Sequence, residues 1–250
     1  YGTGDGGDTF YMDSSLKTTL ESATSKVVRE ETQQADVFHT DMSTAFNALT
    51  DGGKILLAKT YNIENQNTTW DRKDGSGRVT ITRAADFKEN LINVKEGYSL
   101  TIKGTITIDG GAVWNVTSYP STNYPSNLTD LTINYNTGIQ ATASSINVEL
   151  GGGLTINDGV ILCNAENIND GGAISNFGTT KIEGGTLQSN MARNGGAIAN
   201  YGVLEIKNAT LTRNLANVKT PATGVTYGYG GAVYQKKYTS LAETSETLKV

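Results

Sequence analysis

Apolar and polar residues alternate with period two in short runs along much of the chain, and Gly, Asn, Asp and Ser interrupt the runs before they lengthen. Leu204 and Ile206 fall on one side of such a run and Glu205 and Lys207 on the other, the signature of a strand with one buried face. Comparable runs at 54–58, 78–82, 90–94 and 98–108 predict further strands. One stretch follows a helical period instead. Met42, Ala45, Phe46 and Leu49 share a face, with Thr40 placed as N-cap and Gly52-Gly53 as the stop, which predicts a helix over 40–50.

The strand pattern repeats. Gly171-Gly172-Ala173-Ile174-Ser175-Asn176-Phe177-Gly178 returns 24 positions later as Gly195-Gly196-Ala197-Ile198-Ala199-Asn200-Tyr201-Gly202. The same displacement carries Lys181-Ile182-Glu183 onto Glu205-Ile206-Lys207, and Thr186-Leu187-Gln188-Ser189-Asn190 onto Thr210-Leu211-Thr212-Arg213-Asn214. Leu154–Asn157 and Ile161–Asn164 fit one turn upstream at a displacement near 26, Leu131–Asn134 fits a turn earlier still, and Gly230–Tyr234 repeats the Gly-Gly step downstream. About two dozen residues make three strands of four to six residues with short turns, one coil of a parallel β-helix. Stacking the coils places Asn164, Asn190 and Asn214 in an amide ladder and Phe177 over Tyr201. It also sets Glu183 against Lys207 and Glu205 against Lys181, a surface charge pattern. The Gly-Gly pairs mark bends that need positive φ or close backbone approach.

Gly-Gly-Ala-Ile at 171–174 and 195–198, alternating with segments ending in Asn at 187–190 and 211–214, resembles the repeats of the chlamydial polymorphic outer-membrane proteins and related bacterial β-helix adhesins. The resemblance covers roughly residues 150 to 235, with Leu187 and Leu211 where those repeats carry an aromatic. It implies an all-β, right-handed parallel β-helix displayed outside the cell and used for adhesion.

The helix over 40–50 is then expected to cap the open end of the tube, because an uncovered first coil exposes a strand edge and an apolar lumen. Residues 1–36 read as an arm, either a second amphipathic helix through Leu16, Leu20, Ala23 and Val27 or a segment docked on a partner; residues 37–250 read as the β-helix domain. No second lid is evident after Tyr234, so stacking of copies end to end into a fibre stays open as an alternative.

Two insertions break the period, at 112–128 and 215–229, and all three prolines (Pro120, Pro125, Pro221) fall in them. Extra length must project from the coils. The aromatics carried there, Trp114, Tyr119, Tyr124, Tyr227 and Tyr229, are candidates to stack on a sugar or a protein partner.

Composition narrows the function classes. A net charge of −5 without a Lys/Arg run disfavours nucleic acid and anionic membrane as partners, and no stretch approaches the roughly 18–20 apolar residues that span a bilayer. The single cysteine, Cys163, sits in an apolar run and reads as a buried small hydrophobe. The single histidine, His39, has no partner ligand nearby, so no metal or cofactor is expected. A carbohydrate-active enzyme is a third reading, since glycosidases need two carboxylates across a groove. Glu183 and Glu205 belong to the charge pattern, however, and Asp109, Asp158 and Asp170 stand beside glycines, where turn bonding is the ordinary use. The reading favoured by the sequence is a secreted or surface-displayed, non-catalytic binding module for a host-surface glycan or protein, or for copies of itself.

Overall fold

The computed structural model describes residues 52–72, 77–84, 87–112, 143–216 and 228–236, together with Met42, Ala45, Phe46 and Leu49. It also describes the backbone of strands at 3–4, 8–12, 17–20, 28–31, 36–39, 114–116, 133–135 and 247–249. The chain is all-β, with parallel strands stacked in three long sheets.

The first sheet runs Tyr61–Ile63, Ile92–Val94, Ile146–Val148, Ile174–Asn176, Ile198–Asn200 and Val233–Gln235. Thr68–Arg72, Ser99–Gly104, Gly153–Ile156, Thr179–Ile182, Val203–Ile206 and Thr247–Lys249 make the second. Gly53–Leu57, Val79–Arg83, Ile106–Asp109, Ile161–Cys163, Thr186–Gln188 and Thr210–Thr212 make the parallel part of the third. The chain visits third, first and second sheets in constant rotation. A short fourth ladder, Glu166–Asp170, Met191–Asn194 and Leu215–Ala216, joins the third sheet to the first, among the described residues in the later coils only.

Register follows from burial, because a one-residue slip would turn every apolar side chain outward. Ile92, Ile146, Ile174 and Ile198 are direct partners in the first sheet, as are Ile102, Ile156 and Ile182 in the second and Ile81, Ile108, Leu162 and Leu187 in the third. All of these are buried in one apolar cluster fed by all three sheets. The 24-residue displacement is the register itself between Ile174 and Ile198, Thr179 and Val203, and Thr186 and Thr210.

Two alignments shift. The turn above Leu154-Thr155-Ile156 is filled by Leu100-Thr101-Ile102, not by Leu131–Asn134; Ile133–Tyr135 instead pairs antiparallel with Trp114–Val116, so the break expected at 112–128 runs further and the parallel ladders resume at Ile146–Val148. Asn164 is also one position out of the amide ladder. Ile161 pairs with Thr186, a step of 25 residues, so Asn190 lies below Ala165, whose N–H donates to Asn190 Oδ1 at 3.1 Å. Asn190 Nδ2 donates in turn to Asn214 Oδ1 at 3.0 Å. Asn164 belongs to a column of left-handed residues with Ser189 and Arg213, at φ 51°, 54° and 55°, which turns the chain into the fourth ladder. The Gly-Gly step does the turning before the first sheet: Gly171, Gly195 and Gly230 all have positive φ, and a Cβ on any of them would meet the carbonyl of Ile174, Ile198 or Val233.

The amino-terminal segment is built of strands. Lys17–Leu20 pairs antiparallel with Asp8–Met12 where a helical face through Leu16 and Leu20 was one option; the β-branched pair Thr18-Thr19 favours the strand. Val28–Glu31 pairs antiparallel with Gly53–Leu57 and with Asp36–His39, so a hairpin extends the third sheet beyond its first parallel strand. A helix spanning 40–50 is not seen among the described residues. Met42, Ala45 and Phe46 have helical backbone, and Met42, Ala45 and Leu49 are buried in the core cluster.

Candidate functional site

The outward face of the first sheet carries one column of mostly small polar residues, Asn62, Asn93, Asn147 and Ser175 in direct register. A second row is fixed just beyond the strands. Asn147 Nδ2 donates to Asn93 Oδ1 at 2.8 Å, and Asn93 Nδ2 donates to Glu149 Oε1 at 3.0 Å, which also pairs with Lys95 Nζ at 2.8 Å. Burial would raise the Glu149 carboxyl, but these hydrogen bonds and the Lys95 charge outweigh it and hold it below the usual range. Further along the row the Phe177 and Tyr201 rings stack at 4.8 Å and 7°, as the repeat predicts.

Where this face meets the fourth ladder there is a cleft of about 270 Å3. Its floor includes Asn147 and Ser175 of the outward column, and it is lined further by the Phe177 and Tyr201 rings, by Asp170 and Arg193, and at the upstream end by Asn90, Ala143 and Ser144.

Asp170 organises the cleft. Arg193 Nε and Nη2 both reach its Oδ1 at 3.0 Å, Asn194 Nδ2 donates to the same oxygen at 2.8 Å, and the Tyr201 hydroxyl donates to Oδ2 at 2.6 Å. The Asp170 side chain is 12% exposed against 50% for Arg193, so the carboxylate is the anchored member. Burial, reinforced by Asp170, pushes the Tyr201 phenol up from its ordinary value and keeps it protonated. The Asp170 carbonyl is used as well, accepting from Asn167 Nδ2 and Ser175 Oγ, each at 2.9 Å. From the sequence Asp170 is a turn residue beside glycine; in the fold it also ties its own coil to the next. Its partners lie 23 to 31 positions away, so only projection of the chain onto its 24-residue lattice reveals them.

Both insertions return to the coils near this cleft. The first returns to the coils at Ala143 and Ser144, which line it. The second returns at Tyr229, whose N–H donates to Asn194 Oδ1 at 2.9 Å while Asn194 holds Asp170. Tyr229 is 69% exposed and stacks on Tyr234 at 6.4 Å. Trp114 lies in the backbone of the 114–116 strand, whereas Tyr119, Tyr124 and Tyr227 lie outside the described residues.

The remaining candidates fall elsewhere. Lys181 and Glu205 are register partners, and Glu205 also pairs with Lys207 at 2.5 Å along its own strand; Glu183 accepts from Asn157 Nδ2 at 3.2 Å. Asp109 Oδ1 accepts the Gly111 N–H at 2.9 Å, an Asx turn. The Asp158 carbonyl accepts the Gly104 N–H at 3.1 Å. Cys163 is buried, and burial with nearby Asp109 pushes its thiol up to about 12, so it stays protonated. Backbone alone is described for His39, at the end of the outermost hairpin strand. Among the described residues no three His, Cys, Asp or Glu side chains are grouped as a metal site would require, and no helix is long and apolar enough to cross a membrane.

No protein-family model matches the chain, and neither a curated protein nor a solved structure matches it.

Proposed function

We propose that the chain is a right-handed parallel β-helix that acts outside the cell as a non-catalytic, adhesin-like binding module, with its ligand seated in the cleft around Asp170. Closure of the coil and its hand rest on the constant rotation through three sheets around one apolar cluster, together with the right-handed preference of parallel crossovers. Met42, Ala45 and Leu49, buried against that cluster, act as the lid at its amino-terminal end. The observation that carries the functional reading is convergence: the first break in the repeat returns to the coils at Ala143 and Ser144, which line the cleft, and the second returns at Tyr229, joined through Asn194 to Asp170. Loops grafted on a rigid scaffold are where recognition concentrates.

Binding is favoured over hydrolysis because the Asp170 carboxylate has both oxygens committed to Arg193, Asn194 and Tyr201. It is also the only carboxylate lining the cleft among the described residues, whereas glycoside hydrolysis uses two. The test applies the full chain to glycan and protein arrays and, separately, to a polysaccharide panel assayed for new reducing ends or unsaturated products. Saturable binding that weakens in Asp170→Ala and Tyr229→Ala, without product, is the expected result. Catalytic product release, or binding indifferent to both substitutions, overturns the assignment.

A further inference from the structure

We infer that the cleft takes an uncharged saccharide unit, its hydroxyls read by side chains of the first-sheet face and its apolar edge set against Phe177 and Tyr201. The inference rests on the binding-module reading above and specifies the class of ligand.

Charge comes first. Asp170 and Arg193 are the only ionisable groups of ordinary carboxylate or guanidinium type lining the cleft among the described residues, and they neutralise one another at 3.0 Å. Arg193 spends two of its donors on one carboxylate oxygen, and a uronate, sialate or sulfate reaching the rest of the guanidinium would sit against the Asp170 charge that already neutralises it. The Tyr201 phenol stays protonated and adds no charge. An uncharged ligand meets a cleft that is already balanced.

Hydrogen-bonding capacity comes second. Asn167 is used up by the fold, its Nδ2 on the Asp170 and Gly171 carbonyls and its Oδ1 on the Asn169 N–H. Asn147 donates to Asn93 and keeps its Oδ1 as an acceptor, and Ser175 donates to the Asp170 carbonyl and keeps its lone pairs. Asn90 accepts from Ser144 at 3.4 Å and keeps its amide donors. A row of acceptors with a donor at one end suits adjacent sugar hydroxyls, each of which gives and takes one bond. The backbone of the floor is spent in the parallel ladders on both sides of Ile146–Val148 and Ile174–Asn176, so a peptide cannot add as a strand there. The volume, about 270 Å3, lies just below the roughly 300–1,000 Å3 of pockets that enclose drug-sized molecules, which fits a short glycan rather than a folded partner.

The test is titration calorimetry of the full chain with neutral hexose and N-acetylhexosamine oligosaccharides, and with sialylated, uronate and sulfated ones. Neutral glycans are expected to bind, with affinity falling about tenfold or more in Asn147→Ala and in Ser175→Val. Lys103→Ala, on the second sheet and paired with Asp71, serves as a control that leaves affinity unchanged, and thermal melts confirm that each variant folds. Arg193→Gln should weaken neutral binding only a few fold. Should acidic glycans alone bind, and lose binding in Arg193→Gln, the inference is wrong. Should the arrays return a protein ligand and no glycan, it is likewise wrong, while the binding-module reading survives.

Discussion

Between residues 53 and 112 the inner column of the first sheet is Ile63 and Val94, continued by Val148; between 174 and 235 the same column is Asn176, Asn200 and Gln235. The two halves share their sheets and differ in how they specify register. Upstream, strands recur at uneven distances, with Gly53 paired to Val79, Tyr61 to Ile92 and Thr68 to Leu100, and the inner column is apolar, the polar links between layers being made by outward or edge side chains such as Asn93, Arg78 and Arg83. Downstream, buried amides link successive layers, Asn176 Nδ2 to Asn200 Oδ1 at 2.5 Å across 24 residues and Asn200 Nδ2 to Gln235 Oε1 at 2.6 Å across 35. A buried amide demands its partner at one height, whereas a buried isoleucine tolerates any apolar neighbour. The ladder therefore fixes which residues meet between layers, whatever length of chain lies between them. Its ends show the cost: Asn176 Oδ1, facing Val148, and Gln235 Nε2 are buried without partners among the described residues.

The contrast breaks most visibly under truncation. Ile102→Ala, in the upstream core, is expected to lower unfolding free energy by about 2–5 kcal/mol through cavity formation, read by urea denaturation. Asn200→Ala should cost about 1–3 kcal/mol, because Asn176 Nδ2 and Gln235 Oε1 each lose a partner. Replacing the column together, as Asn176→Val, Asn200→Val and Gln235→Leu, should recover most of that loss; a triple variant no more stable than the single one would mean that the amides are not acting as a ladder.

Glu166 opens the fourth ladder, which among the described residues belongs to the later coils. Burial raises its carboxyl to about 6 from an ordinary 4.5, so the folded state holds the proton more tightly than the unfolded one. The penalty is absent below about pH 4.5, grows as pH rises through 6, and is complete above it. Glu166→Gln should then stabilise the protein by about 1–2 kcal/mol at pH 7.5 and leave it unchanged at pH 4, a difference visible in denaturation midpoints at the two pH values. The smallest effect is expected at Arg213. Its φ of 55° is strained for a side chain bearing Cβ, and Arg213→Gly should gain about 0.5 kcal/mol, the difference between left-handed strain and glycine entropy, measured as a rise in Tm.

The same contrast explains what the sequence discloses. Coils that carry Asn190 and Asn214, or Phe177 and Tyr201, repeat visibly because each side chain must meet its own kind one layer away. Upstream coils do not: Leu100-Thr101-Ile102 and Leu154-Thr155-Ile156 are paired across 54 positions, and Leu131–Asn134 matches the same apolar pattern without belonging to it. Asn164 misleads for a related reason, since an asparagine serves equally as ladder rung and as left-handed turn residue. The cleft is the least legible element. Asp170 sits beside glycine like Asp109 and Asp158, and what distinguishes it is the company of Arg193, Asn194 and Tyr201, assembled only by winding.

The hairpin at 28–39 closes the third sheet at its origin. Val28–Glu31 lies between Gly53–Leu57 and Asp36–His39 and is antiparallel to both, so Asp36–His39 is the outermost strand of the third sheet and runs in the same sense as the coils. The first parallel strand of that sheet is thereby sealed by a chain of opposite sense, and a further layer on that side would meet the hairpin rather than the coil itself.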